Sequence, residues 1–396
     1  MGCYVEYDVD SAISRYRNAT AESLDGLPTP KKFVNPQEGR SVLAADFLAH
    51  LDLDRPAINR VLKQAYPHLD ILAGLKAEVH ARVRFTAWRT LKGFNELAIA
   101  HRLLVKDVHA QKQLGFVKGP PCYDTLREHE NERLSGDLHD RLLDALLIEQ
   151  RRMFQNLGQK QVEDATPLEA RRREEEAPYN PHYGVRMMKE EMRWDVEHEA
   201  LLAQQYYHGL VNEGQWLPLL TRRVQAANIH GARLTVDGAY PSFEHIALQW
   251  RLGEPLAFKQ QEGWRVDAEA AREDVLKRYQ GYWKHDSFLS DANLDAKLRF
   301  LIDHGTVQDV EAVGRYVRDA YLSTRSIEED AVVKRERSMN EGLNAEFKRL
   351  PVQPARRGTR ELLRRAQACT LTLHLVQLTR LQHGVTRQLC RTANLL

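Results

Sequence analysis

Two aspartates follow short runs of residues that favour β-structure. Asp164 ends residues 161–164, and Asp237 comes directly after residues 232–236. In a mixed sheet, an acid just beyond a strand faces the open edge, where ligands and metals bind. A single Asp in such a position more often caps the next turn or helix. Because two such acids fall in one predicted sheet, a shared metal site stands as a second interpretation beside capping.

A third acid lies in a polar stretch near the C-terminus. Arg337, Glu341 and Lys348 are separated by four and seven residues. Those intervals place all three on one face of a helix. An exposed, salt-bridged helix face is the ordinary explanation of such spacing. Glu336 and Glu346 lie close by, but neither keeps both the Arg and the Lys interval.

The same region carries an excess of positive charge. From residue 334 to 391 there are thirteen Lys or Arg against four Glu, whereas the whole chain has a formal net charge of only +2. The run includes Arg356 and Arg357. A solvated face is the usual explanation of a charge run, but an excess of this size indicates a polyanionic partner, with nucleic acid as the leading candidate.

The elements that must position these residues fall into three predicted parts. Residues 1–40 are polar, broken by prolines, and predict a poorly anchored arm. Residues 41–155 show helical spacing, typical of a helix-turn-helix-like DNA-binding domain but equally of any small helical bundle. Residues 156–396 mix strands and helices, which predicts a sheet covered by helices and an α+β fold class.

Within that last part the pattern predicts individual elements. Strands are expected at residues 161–164 and 232–236, two more within 185–209, and one at 254–259. Helices are expected at 213–227, in an insertion at about 268–330, at 335–349 and at 359–383.

Composition excludes several classes of protein. The 396 residues are 43% hydrophobic and 28% charged, without a stretch long and apolar enough to span a bilayer. The N-terminal residues lack the apolar segment of a secretory signal. Four widely spaced cysteines predict neither a disulfide framework nor a cysteine-based zinc site. A cytoplasmic protein with no membrane association is expected.

These residues carry a resemblance to a known family. The spacing of Arg337, Glu341 and Lys348 resembles the Arg-x3-Glu-x6-Lys helix of cut-and-paste DDE transposases from prokaryotic insertion sequences. Residues 162–170 with 176–184 are similar to the family's first-Asp segment, and residues 234–246 to its second-Asp segment. Further similar segments lie at residues 114–129, 313–322 and 356–384. The family helix usually has a Tyr three residues before the Arg, where this chain has Lys334.

The resemblance implies a ribonuclease-H-like catalytic domain over residues 156–396. In it Asp164, Asp237 and Glu341 would bind two Mg²⁺ or Mn²⁺ ions, with Asp195 as a rival for the first acid. The implied partners are terminal inverted repeats and target DNA, bound by a homodimer and contacted by Arg337, Lys348, Arg356 and Arg357. A related nuclease without strand transfer and an inactive DNA-binding relative are the alternatives.

Overall fold

A computed structural model describes most of the chain. The described residues are 44–72, 74–94, 96–170, 176–211, 214–237, 242–260, 264–282, 293–350 and 359–383, without the side chains of 346, 349 and 359–361. The predicted arm at 1–40, and Arg356 and Arg357, lie outside these ranges.

The chain divides into two compact units, each made of separate segments. The first comprises Met1–Asn156, Leu168–Met187 and Ala345–Leu396, and the second comprises Leu157–Pro167 and Met188–Asn344. The domain limits expected at residues 40 and 155 stay predictions.

The first unit is mainly helical. Its helices are α1 (Pro56–Ala65), α2 (Leu75–Leu91), α3 (Leu97–Lys106), α4 (Val108–Leu114), α5 (Tyr123–Glu128), α6 (Asp137–Met153) and α13 (Thr359–His383).

Two of these helices show how the first unit is held together. Helix α6 begins with Asp137 and Asp140 in its first turn and ends with Arg151 and Arg152 in its last, which suits the helix dipole at both ends. Helices α6 and α13 are joined by side chains that donate to backbone carbonyls. Gln150 Nε2 of α6 donates to His374 O over 3.1 Å, and His139 Nε2 donates to Gln367 O over 2.9 Å.

The strands form a mixed sheet. They are β1 (Lys160–Glu169), β2 (Tyr179–Asn180), β3 (Val185–Asp195), β4 (Ala200–His208), β5 (Arg233–Thr235) and β6 (Leu256–Ala257). Their order is β4-β3-β1-β5-β6, and β2 pairs with the start of β3 within the first unit.

Strand directions divide this sheet in two. Strands β1, β5 and β6 run parallel, and β4 runs antiparallel to β3. Val196 N donates to Lys160 O at the start of β1, and Ala170 N donates to Arg186 O at its end. Strand β3 therefore runs opposite to β1, its neighbour in the sheet.

The remaining helices of the second unit pack against the sheet or against one another. They are α7 (Leu217–Ala226), α8 (Phe243–Arg251), α9 (Ala268–Tyr282), α10 (Leu294–His304), α11 (Val307–Thr324) and α12 (Ile327–Arg349, continuing into the first unit). One core cluster joins strand residues Leu234 and Leu256 to Leu217 and Ile246 of the helices.

A glycine allows two of these helices to approach closely. At Gly314 of α11 a Cβ atom would overlap the backbone carbonyl of Phe243, the first residue of α8. Any larger residue would force the two helices apart. Helix α11 itself begins at a capping box, in which Thr306 and Asp309 each bond the other's backbone N–H.

The expected mixture of a sheet and helices is confirmed, and two of the differences in the bounds bear on the site. Strand β1 continues to Glu169, so Asp164 lies inside the strand and not at its end, because β3 pairs alongside it as far as Ala170. Helix α12 begins at Ile327, eight residues before the expected start at 335. Within the described ranges, no helix combines the length and the apolar character that crossing a bilayer requires.

Candidate active site

Asp164 on β1 lies level with Asp237, which follows the neighbouring strand β5 by two residues. The parallel register of β1 and β5 pairs Val162 with Thr235. Each aspartate comes two residues after one member of that pair, so both point to the same face of the sheet. Adjacent strands are about 4.8 Å apart. The sheet therefore sets the two carboxylates side by side, just past the end of the β1–β5 pairing.

Helix α12 presents a buried row of polar side chains. Glu336, Asn340 and Asn344 recur every four residues, and their exposed fractions are only 4%, 5% and 4%. Glu336 accepts from Arg233 NH2 over 3.0 Å and from Thr235 Oγ1 over 2.6 Å, both on β5. These bonds fasten the helix to the strand that leads to Asp237. They also occupy both oxygens of Glu336, the earlier rival of Glu341.

The three predicted acids line one small cleft within the second unit. Its volume is about 30 Å³, room for a water-sized group. The lining residues are Val162, Glu163, Asp164, Thr235, Asp237, Arg337, Asn340 and Glu341. The structure thus brings Asp164, Asp237, Glu341 and Arg337 together.

Lys348 is different. It lies on the same helix and is exposed, but it belongs to the first unit and is not part of the cleft lining.

Arg337 holds the second aspartate. Its NH2 donates to Asp237 Oδ2 over 2.8 Å, and the two side chains are 34% and 47% exposed. The guanidinium thereby supplies a positive charge among the carboxylates that line the cleft. A half-exposed pair of this kind contributes little stability, so it can exchange partners at low cost.

Asp164 is held by its own backbone and by helix α12. Its Oδ1 accepts from Ala165 N over 2.9 Å, and its Oδ2 accepts from Asn344 Nδ2 over 3.4 Å. Asn344 Oδ1 accepts from the indole Nε1 of Trp194 over 3.0 Å. Because an indole N–H can only donate, this bond turns the Asn344 NH₂ group toward Asp164.

Asp195, the rival first acid, has a structural role in this arrangement. It is fully buried and is not among the residues that line the cleft. Its Oδ2 accepts from Gly158 N over 2.6 Å, and its Oδ1 accepts from Glu197 N over 2.8 Å. His198 Nδ1 lies 2.7 Å from its Oδ2. The carboxylate therefore fixes the turn between β3 and β4.

A buried ion network supports β1 from the opposite face. The guanidinium of Arg193 donates to the carboxylate of Glu163, to that of Glu254 over 3.2 Å, and to the backbone carbonyl of Leu217 over 3.2 Å. The side chains of Arg193, Glu163 and Glu254 are at most 1% exposed. Glu163 directly precedes Asp164 in the strand. Arg193 thereby ties β3 and β1 to the turn before β6, and holds the backbone that carries the first acid.

Sequence reasoning missed Asn340, Asn344 and Trp194. The two asparagines continue the four-residue interval from Glu336, so the sequence alone predicts a polar row on one helix face. Nothing in the sequence showed that this face is the buried one.

The donor chemistry of the cleft fits a hard divalent cation. Carboxylate oxygens are the ligands that Mg²⁺ and Mn²⁺ prefer. In the described part of the chain, no three His, Cys, Asp or Glu side chains are grouped so as to hold a metal ion. The contacts account for this, since Asp237 faces Arg337 and Asp164 faces Ala165 and Asn344. Metal binding there requires these side chains to turn toward each other.

Comparisons with known proteins give little further support. No family model matches the sequence, and no curated protein matches it. A solved structure, the cryo-EM structure of a piggyBac transposase synaptic complex with hairpin DNA, is similar with a TM-score of 0.31 and 12% identity. The similarity covers 82% of this chain and 84% of that chain. At this TM-score the likeness does not identify a shared family.

Proposed function

We propose that the chain is a metal-dependent DNA transposase of the DDE type that acts through Asp164, Asp237 and Glu341. The observation that carries the proposal is that these three acids, 73 and 104 residues apart in sequence, line one cleft. Their spacing and the resemblance to transposases predict the same three acids from the sequence alone. Asp164 lies on β1, Asp237 lies two residues beyond the end of the neighbouring strand β5, and Glu341 lies on helix α12, an arrangement that resembles the ribonuclease-H-like one.

Each acid has a defined task in the proposed reaction. Asp164 and Asp237 supply oxygen ligands from the sheet, and Glu341 supplies them from the helix. A pair of Mg²⁺ or Mn²⁺ ions, when bound, activates the attacking oxygen and stabilises the leaving oxygen. The same acids serve cleavage, in which water attacks the phosphorus, and strand transfer, in which the freed 3′-hydroxyl attacks target DNA.

Arg337 is proposed to exchange partners when DNA binds. Its planar guanidinium can hold a phosphate with two parallel hydrogen bonds, and a phosphate attracts it at least as well as Asp237 does. Release of Asp237 makes that carboxylate available as a ligand. Lys348, Arg356 and Arg357 are proposed to contact phosphates further along the DNA.

The larger assembly follows from the reaction. Two ends of a mobile element are cut in one complex, so a homodimer on DNA is proposed. The helical residues 41–155 are proposed to bind the terminal inverted repeats, and residues 156–396 to form the catalytic domain. Such a protein acts on DNA in the cytoplasm, at the nucleoid.

The test is metal-dependent nicking of terminal-repeat DNA by purified full-length protein. Asp237→Asn and Glu341→Gln are expected to abolish nicking and to leave DNA affinity within a small factor. Glu311→Gln, an exposed acid on α11, is the control and should retain full activity. Nicking that survives in both site variants would refute the proposal.

A second assay separates transposition from simple cleavage. DNA with pre-cut 3′-hydroxyl ends is incubated with a target plasmid, Mn²⁺ and the protein. Joined products support the transposase, whereas cleavage without joining identifies the related nuclease. Neither cleavage nor joining, with DNA binding intact, identifies an inactive DNA-binding relative.

A further inference from the structure

Asn340 carries a polar atom whose environment is unusual. The residue is 5% exposed, it lines the acid cleft, and its Oδ1 has no hydrogen-bond partner among the described residues. Leaving a buried amide oxygen unpaired costs free energy, so nearly all such atoms in folded proteins have a partner. A group from solution would satisfy this oxygen.

The polar side chains one turn before and one turn after Asn340 on the same helix face both have hydrogen-bond partners. One turn earlier, Glu336 binds Arg233 and Thr235, and one turn later, Asn344 binds Trp194 and Asp164. The helix is therefore well seated on both sides of Asn340. A loosely placed helix does not explain the unpaired oxygen.

None of the other side chains that line the cleft donates to this oxygen in the structure. An amide oxygen only accepts, and carboxylates such as Asp164 and Glu341 also only accept when ionised. Thr235 donates to Glu336 and one N–H of Arg337 donates to Asp237, while the other N–H groups of Arg337 make no hydrogen bond to Asn340 Oδ1. What suits a pocket of acceptor oxygens is a cation from solution.

We propose that Asn340 Oδ1 is a ligand of a divalent cation held in the acid cleft, beside the carboxylates of Asp164, Asp237 and Glu341. Hard divalent cations accept amide carbonyl oxygens beside carboxylates in a mixed ligand set. A neutral ligand adds an oxygen to the site without adding to the repulsion among three negative charges. This assignment rests on the proposed function, because it deepens the description of the same cleft.

The experiment measures Mn²⁺ binding directly, by the loss of the free-ion electron paramagnetic resonance signal, with no DNA and no turnover. Asn340→Leu keeps the approximate shape and removes the oxygen, and it is expected to weaken Mn²⁺ binding at least about tenfold, as disturbing a metal site commonly does. Asn340→Asp restores an oxygen ligand and should bind Mn²⁺ at least as tightly as the natural protein. Ser338→Ala, on the exposed face of the same helix, is the control.

Each outcome distinguishes the ligand from a structural residue. If Asn340→Leu binds Mn²⁺ within twofold of the Ser338→Ala control, Asn340 is not a ligand and the inference is overturned. If Asp237→Asn and Glu341→Gln also leave binding unchanged, the metal site itself is absent and the proposed function fails as well. Should Asn340→Leu not fold, Asn340→Ala and Asn340→Asp are compared instead. Weaker Mn²⁺ binding in Asn340→Ala than in Asn340→Asp supports the inference, and equal Mn²⁺ affinities overturn it.

Discussion

The guanidinium of Arg337 donates to the carboxylate of Asp237 over 2.8 Å, across the cleft lined by all three candidate catalytic acids. This bond keeps a positive charge near Asp237 in the protein alone. A divalent cation and the Arg337 side chain therefore compete for the same oxygens. The pair is half-exposed, so the competition is weak and readily reversed.

Removing this competitor should strengthen metal binding and weaken catalysis. For Arg337→Ala, Mn²⁺ affinity is expected to rise about twofold to fivefold, the range that corresponds to an exposed ion pair. DNA nicking should fall because the phosphate loses its guanidinium partner. Arg335→Ala, an exposed arginine on the same helix, is the matched control for the change in charge. An unchanged Mn²⁺ affinity relative to that control would show that the ion pair does not restrain Asp237.

The bond from Trp194 to Asn344 should couple two buried residues energetically. Trp194→Phe removes the indole donor and leaves Asn344 Oδ1 buried without a partner, which is expected to cost about 1–3 kcal/mol of unfolding free energy. In the Asn344→Ala background the same change should cost less, giving a coupling energy of about 1 kcal/mol in a double-mutant cycle. Urea unfolding of the four proteins measures it. Strictly additive effects would mean that the indole does not orient the Asn344 amide.

The buried network of Arg193 makes a stronger prediction. Arg193→Met leaves the carboxylates of Glu163 and Glu254 buried without their counter-ion, and should lower the free energy of unfolding by about 3–5 kcal/mol. Urea denaturation of the full chain measures the loss.

The exposed pair of Arg251 and Asp303 in the same unit provides the comparison. Arg251→Met should leave the urea midpoint nearly unchanged, because solvent screens that pair. Equal losses in the two variants would contradict the view that burial makes the Arg193 network costly to break.

Spacing along a helix and position after a β-like run are local properties, so the sequence alone predicts the three candidate catalytic acids as a group, and their catalytic role stays a prediction. Glu341 was selected over Glu336 by its intervals to Arg337 and Lys348. The structure adds a physical reason, since both oxygens of Glu336 are bound to β5. The residues that bind Glu336, Thr235 and Arg233, lie 101 and 103 residues away in the sequence, so no local pattern could predict these bonds.

The remaining parts of the site depend on tertiary packing. In the sequence, Asp164 and Asp195 both follow residues that favour β-structure, and only the backbone amides around Asp195 distinguish the acid that holds a turn from the acid that lines the cleft. Asn340 is an ordinary polar residue in the sequence, and only its burial makes its oxygen unusual. Strand β1 extends past Asp164 because of its pairing with β3, not because of its own residues.

The last prediction concerns acid stability of the first unit. His129 is buried with its Nδ1 2.6 Å from the hydroxyl of Tyr66. Burial, assisted by the charge of Arg82, lowers the pKa of His129 to about 3. Between pH 6.5 and 3 the unfolded chain therefore takes up a proton on this residue that the folded chain does not. The free energy of unfolding then decreases as the pH falls, by at most about 1.4 kcal/mol per pH unit for this residue.

His129→Gln should flatten this dependence while keeping a polar group for Tyr66. The measurement is the urea unfolding midpoint of the full-length protein at pH 7 and at pH 5. It is monitored by pulsed hydrogen exchange in peptides from residues 56–133. The natural protein should lose stability between these two values, and the variant should lose less. His68→Gln replaces an exposed histidine and controls for the loss of an imidazole. The same pH dependence of stability in His129→Gln and His68→Gln would contradict the prediction. It would mean that His129 takes up a proton in the folded protein and is not held neutral beside Tyr66.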